Sequence, residues 1–320
     1  MLGYPHAAVA ELAYAHDSKS CVLTGVWVRL PPAAQYNKIM HFLLPLIGSV
    51  SQGTSFVIDK TILSMKRISF RTHIGVGYPI YWLILLGAFL IFRPPLFPST
   101  SIYHIALILL GVVLSLMTNI FYYRALDADE LSDLETIDLF RAVPIIIVSS
   151  LIFSDEREPI LLATGLVASV AIIWSHWQSG HFSIRHRVLP FLLWGIISAP
   201  ISAAIAKILL AVWHPISLML IQDAVITVFA IYLYKGEFKK ITPKFLSLIT
   251  ISSALSVVGW ILFGLSYQKL GVVHTTLLFS IQPLVVYFAS LIILKERHHP
   301  KKTIAFFIVL AAIIITELYG

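Results

Sequence analysis

Cysteine is almost absent: Cys21 is the single one in 320 residues. That excludes a disulfide framework and a thiolate metal cluster. Charge is scarce too. Asp, Glu, Lys and Arg make up 12% of the chain, against 58% hydrophobic residues, whereas a soluble domain carries roughly 25% charged residues. No water-facing surface can be built from such a set, so the apolar surface must face lipid. The net charge of +7 is then no sign of a nucleic-acid partner, because Lys and Arg of membrane proteins gather in loops and set orientation. Enzyme signatures are missing as well: there is no HExxH, GxSxG, phosphate-binding loop or strand-to-helix GxGxxG. His298-His299 in a basic loop reads as a solvated charge cluster. No cofactor or metal is expected.

The first 39 residues differ from the rest. They hold no apolar run long enough to span a bilayer, and no secretory leader pattern. The segment from Ala10 to Ala34 resembles a spurious reading frame through a tRNA gene. Residues 1–39 are therefore expected to be a non-native or disordered extension, with translation beginning at Met40.

What is abundant is apolar sequence in lengths of about 20 residues, the span requirement of a bilayer. Ten runs follow Met40: 42–63, 73–92, 102–123, 131–153, 159–177, 189–210, 215–234, 246–267, 273–294 and 303–319. The connections are short and leave no room for a soluble domain. The two halves, 40–180 and 181–320, look related. Gly48–Leu63 lies over Gly195–Leu210, matching Gly48/Gly195, Ser51/Ser198, Ser55/Ser202 and Lys60/Lys207. Ser149–Arg157 lies over Ala289–Arg297, with Glu156 opposite Glu296. Five spans per half is an odd number, so equivalent loops fall on opposite sides. The expected fold is an all-α integral membrane protein of ten transmembrane helices in two inverted five-helix repeats, a plan typical of secondary transporters. Odd-numbered loops hold 14 Lys and Arg, and the even-numbered loops with Lys38 hold 4. The positive-inside rule then puts the odd loops in the cytoplasm and both termini outside.

This plan resembles the drug/metabolite transporter superfamily in its EamA-like branch. The residues that carry the resemblance run from Ala125 to Arg157 and from Ser266 to Arg297, with Pro144 and Pro283 at equivalent places and the Glu156 and Glu296 corners at their ends. The resemblance covers residues 41–319. It implies export of small metabolites such as amino acids, by alternating access. A prokaryotic inner membrane is the expected location, and the sequence leaves monomer and homodimer open. Two features depart from the family's habits: Tyr78-Pro79-Ile80-Tyr81 stands where many members carry an Arg, and the charge count reverses their usual orientation.

An ionisable group within a span is expensive, and is a functional candidate by default. Span four holds Glu135, Asp138 and Arg141 at helical spacing, and span seven holds Asp223. Glu135, Asp138 and Asp223 are candidate proton-coupling groups. Asp138 and Arg141 are candidate substrate ligands, with Gln52, Asn119, Tyr123, Trp260 and Gln282 as further cavity-lining candidates. Lys60 or Lys207 is a candidate ion partner for Asp223. Ser51, Ser55, Ser198 and Ser202 read as close-packing positions between helices. Pro45, Pro79, Pro144, Pro200 and Pro283 interrupt spans and permit kinks. The competing class is a non-transporting membrane enzyme or lipid-handling accessory protein. It would need His and a nucleophile at one membrane face, and the charge-rich stretch from Asp127 to Asp138 has neither.

Overall fold

The computed structural model of the protein describes residues 32–65, 68–98, 101–128, 131, 134, 139–157, 159–178, 181–182, 188–234, 241–295 and 300–319. They are helical almost throughout. The helices are α1 (Pro32–Leu63), α2 (Phe70–Phe92), α3 (Ile102–Ala128), α4 (Ala142–Ile152), α5 (Pro159–His176), α6 (Leu189–Leu210), α7 (Pro215–Tyr234), α8 (Pro243–Phe279), α9 (Gln282–Ala289) and α10 (Pro300–Tyr319). A 3-10 turn, Leu139–Arg141, leads into α4, and a π turn, Ser290–Leu294, extends α9. Backbone that cannot bond to water must satisfy its amides internally, and helices do so within one segment.

Six stretches among the described residues are long and apolar enough to cross a membrane: His41–Leu63, Phe70–Phe92, Ile102–Asp127, Leu189–Leu210, Pro215–Tyr234 and Pro243–Leu294. Their outward faces carry large apolar side chains, with Ile91 77%, Ile102 86% and Ile292 77% exposed. A surface of that kind is stable only against hydrocarbon. The protein is an integral membrane protein.

Helices α6 and α7 coincide with the apolar runs at 189–210 and 215–234. Helices α2, α3, α5 and α10 follow the runs at 73–92, 102–123, 159–177 and 303–319 to within a few residues, and the apolar stretch His41–Leu63 of α1 follows the run at 42–63. Within the run at 131–153, Leu131 and Leu134 are helical, the 3-10 turn Leu139–Arg141 follows, and α4 runs for eleven residues from Ala142 to Ile152; residues 132–133 and 135–138 lie outside the described residues. Pro144 lies in the first turn of α4, where its missing N–H has no partner to lose. Pro283 likewise opens α9. These two prolines start helices, whereas Pro45, Pro79 and Pro200 lie inside α1, α2 and α6. The runs at 246–267 and 273–294 stay distinct: α8 is two helical segments that meet at Gly271, whose φ 80, ψ 178 is not helical.

Met40–Gly320 is one compact unit. Within it α2 packs along α7, α5 along α10, α3 along α6, and α4 against both α6 and α8. Helix α1 meets α8 where two glycines face each other: a Cβ on Gly48 would stand 3.2 Å from the Gly259 carbonyl oxygen, and one on Gly259 3.1 Å from that of Gly48. Small residues at helix crossings let backbones approach, the usual device where lipid supplies no hydrophobic drive between helices. Apolar clusters seal the bundle on several sides. One gathers Ile146, Val273, Leu277, Tyr287 and Phe306, and another Tyr122, Leu126, Phe191 and Val286.

Candidate functional site

Where α1, α2, α3, α6, α7 and α8 converge they leave a cavity of about 470 Å³, within the size range of small-molecule sites. Its wall mixes polar and aromatic side chains. Gln52, Asn119, Tyr123, Arg141, Trp260 and Gln282 all line it, and so does Asp223. These are seven of the nine residues singled out from sequence; Glu135 and Asp138 lie outside the described residues.

Each polar group on the wall has a local reason for its place. Gln52 is 2% exposed, and its Oε1 accepts a hydrogen bond from Ser256 Oγ at 3.2 Å. Asn119 donates to the Ser115 carbonyl one turn back at 2.8 Å. Arg141 ends the 3-10 turn, and its guanidinium lies 5.4 Å from the centre of the Phe191 ring. It can lie there because α6 presents a glycine: a Cβ on Gly195 would stand 2.7 Å from Arg141 Cδ. Trp260 belongs to an aromatic bank on α8, with Phe263 at 5.2 Å in T-shaped contact and Phe279 at 6.5 Å and stacked.

Asp223 sits in the middle of α7. Among the described residues its carboxylate makes no hydrogen bond or ion pair. The lysines expected to pair with it are engaged elsewhere. Lys207 donates to Asp155 Oδ2 at 2.6 Å and to Glu156 Oε1 at 2.5 Å, and Lys60 donates to the Leu126 carbonyl at 2.7 Å. Both lysines stand near the ends of their helices, where a long side chain reaches the loop beyond rather than the midplane. A buried carboxylate left open to a cavity attracts a cation or a proton.

Glu156 performs a different task. It is 4% exposed. Its Oε1 accepts the Val272 amide at 2.8 Å and its Oε2 the Val273 amide at 3.0 Å. These are the first free N–H groups after the break at Gly271, so the carboxylate caps a helix start whose dipole favours negative charge. Beside it the Lys207 ammonium, hydrogen-bonded to Asp155, holds the Asp155 carboxyl below the usual range. In the link between α6 and α7, burial pushes the His214 imidazole down.

Two wall residues lie outside the sequence expectation, Asp59 and His73. Asp59 Oδ2 accepts a hydrogen bond from Tyr123 Oη at 3.2 Å, Ser252 Oγ donates to Oδ1, and His73 Nε2 lies 3.5 Å from Oδ1. The rule that flags ionisable groups within spans applies to Asp59, yet its neighbour Lys60 makes the two look like charges at a helix end. His73 stands at the first position of a predicted span and reads as a boundary residue. The Ser–Asp–His composition does not form a nucleophilic triad: Ser252 donates to the carboxylate and not to the imidazole, so no base faces the hydroxyl. Ser55 and Ser202 also line the cavity, while Ser51, Ser198 and His274 do not.

Residues 187–318 match the profile of the EamA-like transporter family. The EamA-like match spans α6 to α10 and so contributes Asp223, Trp260 and Gln282 to the cavity. Twenty-eight chains among solved structures match this one. One of them, described only as a crystal structure of a protein, superposes with a TM-score of 0.66 at 12% sequence identity. The match covers 88% of this chain and 97% of that one. At that identity the likeness speaks for the fold alone. Among curated proteins none matches this chain in sequence.

Proposed function

We propose that the protein is a secondary transporter that exports small amine-bearing metabolites such as amino acids across a prokaryotic inner membrane. Its ten spans would form two inverted repeats that rock around the cavity. The observation that carries this reading is Asp223, an open carboxylate in mid-membrane on the wall of a cavity of about 470 Å³. Few binding modes other than a cation or proton justify such a group in a span. An amino acid has complementary parts. Its ammonium suits Asp223, its carboxylate suits Arg141, and its side chain meets the Trp260 bank, while Gln52, Asn119, Tyr123 and Gln282 orient it. Glu135 and Asp138, beside Arg141 in sequence, would add to proton exchange.

The packing supports two inverted repeats. Spans two and seven pack together, as do five and ten, and each of these pairs joins equivalent members of the two halves. The Gly48/Gly195 equivalence recurs as a close contact in both halves, against Gly259 and against Arg141. The prolines that open α4 and α9 hold equivalent places.

Reconstituted vesicles preloaded with unlabelled amino acids or nucleosides test the reading by counterflow of the labelled solute. Uptake of at least one amino acid above empty vesicles is expected. Folded protein that exchanges no member of either panel would favour the accessory-protein class instead.

A further inference from the structure

The cavity wall carries an acid–base pair that recognition at Asp223 does not use. Asp59 on α1 and His73 on α2 are each 3% exposed. His73 Nε2 lies 3.5 Å from Asp59 Oδ1, while its Nδ1 is buried and has no hydrogen-bond partner among the described residues. With the Nε2 hydrogen directed at the carboxylate, Nδ1 is a free acceptor on a side chain that borders the cavity. Histidine is the side chain whose charge changes nearest neutral pH.

The surroundings are lopsided in charge. From α3, Tyr123 bonds Asp59 and stands 4.6 Å from the His73 ring. From α2, Tyr78 sits in the field of both Asp59 and Asp223, and Tyr81 in that of Asp223. Helix α8 offers neutral Ser252, which is tied to Ser55 at 2.9 Å. Lys60, the adjacent cation on α1, turns to the Leu126 carbonyl, and Arg141 occupies the wall beside Phe191. One carboxylate, that of Asp59, therefore faces the imidazole directly.

We propose that the His73–Asp59 pair is a proton-binding site, in which Nδ1 takes one proton from a hydronium ion that enters by the cavity and the resulting imidazolium is held by the Asp59 carboxylate. One O–H bond of the hydronium breaks as one N–H bond forms, a water molecule leaves, and the site gains one positive charge. Asp59 Oδ1 also accepts from Ser252 on α8. An imidazolium that draws the carboxylate toward α2 weakens that link, so proton occupancy is felt at the α1–α8 crossing. On the transport reading above, this proton is the coupling ion; the binding site itself stands without that reading.

Nitrogen-15 histidine spectra of the full chain in lipid nanodiscs between pH 5 and 8 test the site. The chain has 12 histidines, and the signal missing in His73→Gln identifies His73. It is expected to pass from neutral to imidazolium within that window, and Asp59→Asn to lower its proton affinity by about tenfold, one pKa unit. Ser252→Ala keeps both members of the pair and frees Oδ1 for the imidazolium, so it is expected to raise the affinity by roughly threefold. A His73 that stays neutral throughout, or a midpoint that neither Asp59→Asn nor Ser252→Ala moves, overturns the proposal. Titration as expected in protein that shows no counterflow of a carbon-14 amino-acid mixture overturns the transport reading alone and supports the proton site.

Discussion

Replacing Gly271 by alanine strikes the fold where one residue is asked to do two things. Its φ of 80 with ψ of 178 belongs to a region that only glycine occupies freely, and forcing a side chain there costs of order 1–3 kcal/mol. The new Cβ would also stand 2.6 Å from Glu156 Oε1 and 3.1 Å from Oε2. The carboxylate must retreat, and its bonds to the Val272 and Val273 amides, 2.8 and 3.0 Å long, must stretch. A hydrogen bond to a charged group contributes roughly 1.5–3 kcal/mol. Losing one of them on top of the backbone strain gives a destabilisation of roughly 3–6 kcal/mol, a large part of the ~5–15 kcal/mol that holds a typical protein folded. Gly87→Ala is the matched control, because a Cβ at that place in α2 would meet nothing within 4 Å. Alanine is a better helix former than glycine by about 1 kcal/mol. Thermal unfolding in detergent, followed by size exclusion, is expected to show Gly271→Ala melting roughly 6–15 °C below wild type and Gly87→Ala at or above it. Equal melting of the two variants would refute the cap as a structural element.

Three further outcomes follow from the same geometry. Glu156→Gln is expected to cost far more stability than Asp155→Asn, since Glu156 is 4% exposed and bonds two amides, whereas the Asp155 side chain is 69% exposed and exposed ion pairs contribute little; paired melting curves give the order. The Asp155 carboxyl is held low by Lys207, so its small contribution is present above the ordinary Asp pKa and fades only as pH falls through the lowered folded value; a neutral-range pH series of the wild type should therefore show no loss from this pair. Gly195→Ala pushes on Arg141 Cδ at 2.7 Å and is expected to raise the half-saturating amino-acid concentration by about tenfold, a shift of ~1.4 kcal/mol, with little change in expression; saturation counterflow reads it.

Hydropathy made the spans at 189–210 and 215–234 legible to the residue because both begin and end at sharp changes from apolar to polar or Pro-marked sequence. It reports transfer free energy and is silent on backbone angles. That is why the break at Gly271 and the short α4 after Leu139–Arg141 are not visible in it. The cavity-lining residues were legible for a related reason: polar side chains such as Gln52, Asn119 and Asp223 cannot face lipid, so they converge inward. Partners were not. Nothing in the order of residues says that Lys207 reaches Asp155 and Glu156, 51 or more positions away, rather than the carboxylate of Asp223. Asp59 escaped because its neighbour Lys60 disguises it. Only the crossing of α1 with α2, α3 and α8 shows that it faces His73, Tyr123 and Ser252.

Counterflow of a carbon-14 amino-acid mixture into vesicles holding wild-type protein or Asp223→Asn tests the account most directly. The substitution removes the charge and leaves the side-chain shape in place. Wild type is expected to accumulate label, and Asp223→Asn to lose about nine-tenths or more of that uptake, ~1.4 kcal/mol or beyond, while eluting as folded protein. Equal uptake by the two would contradict the assignment of this cavity as the transport site.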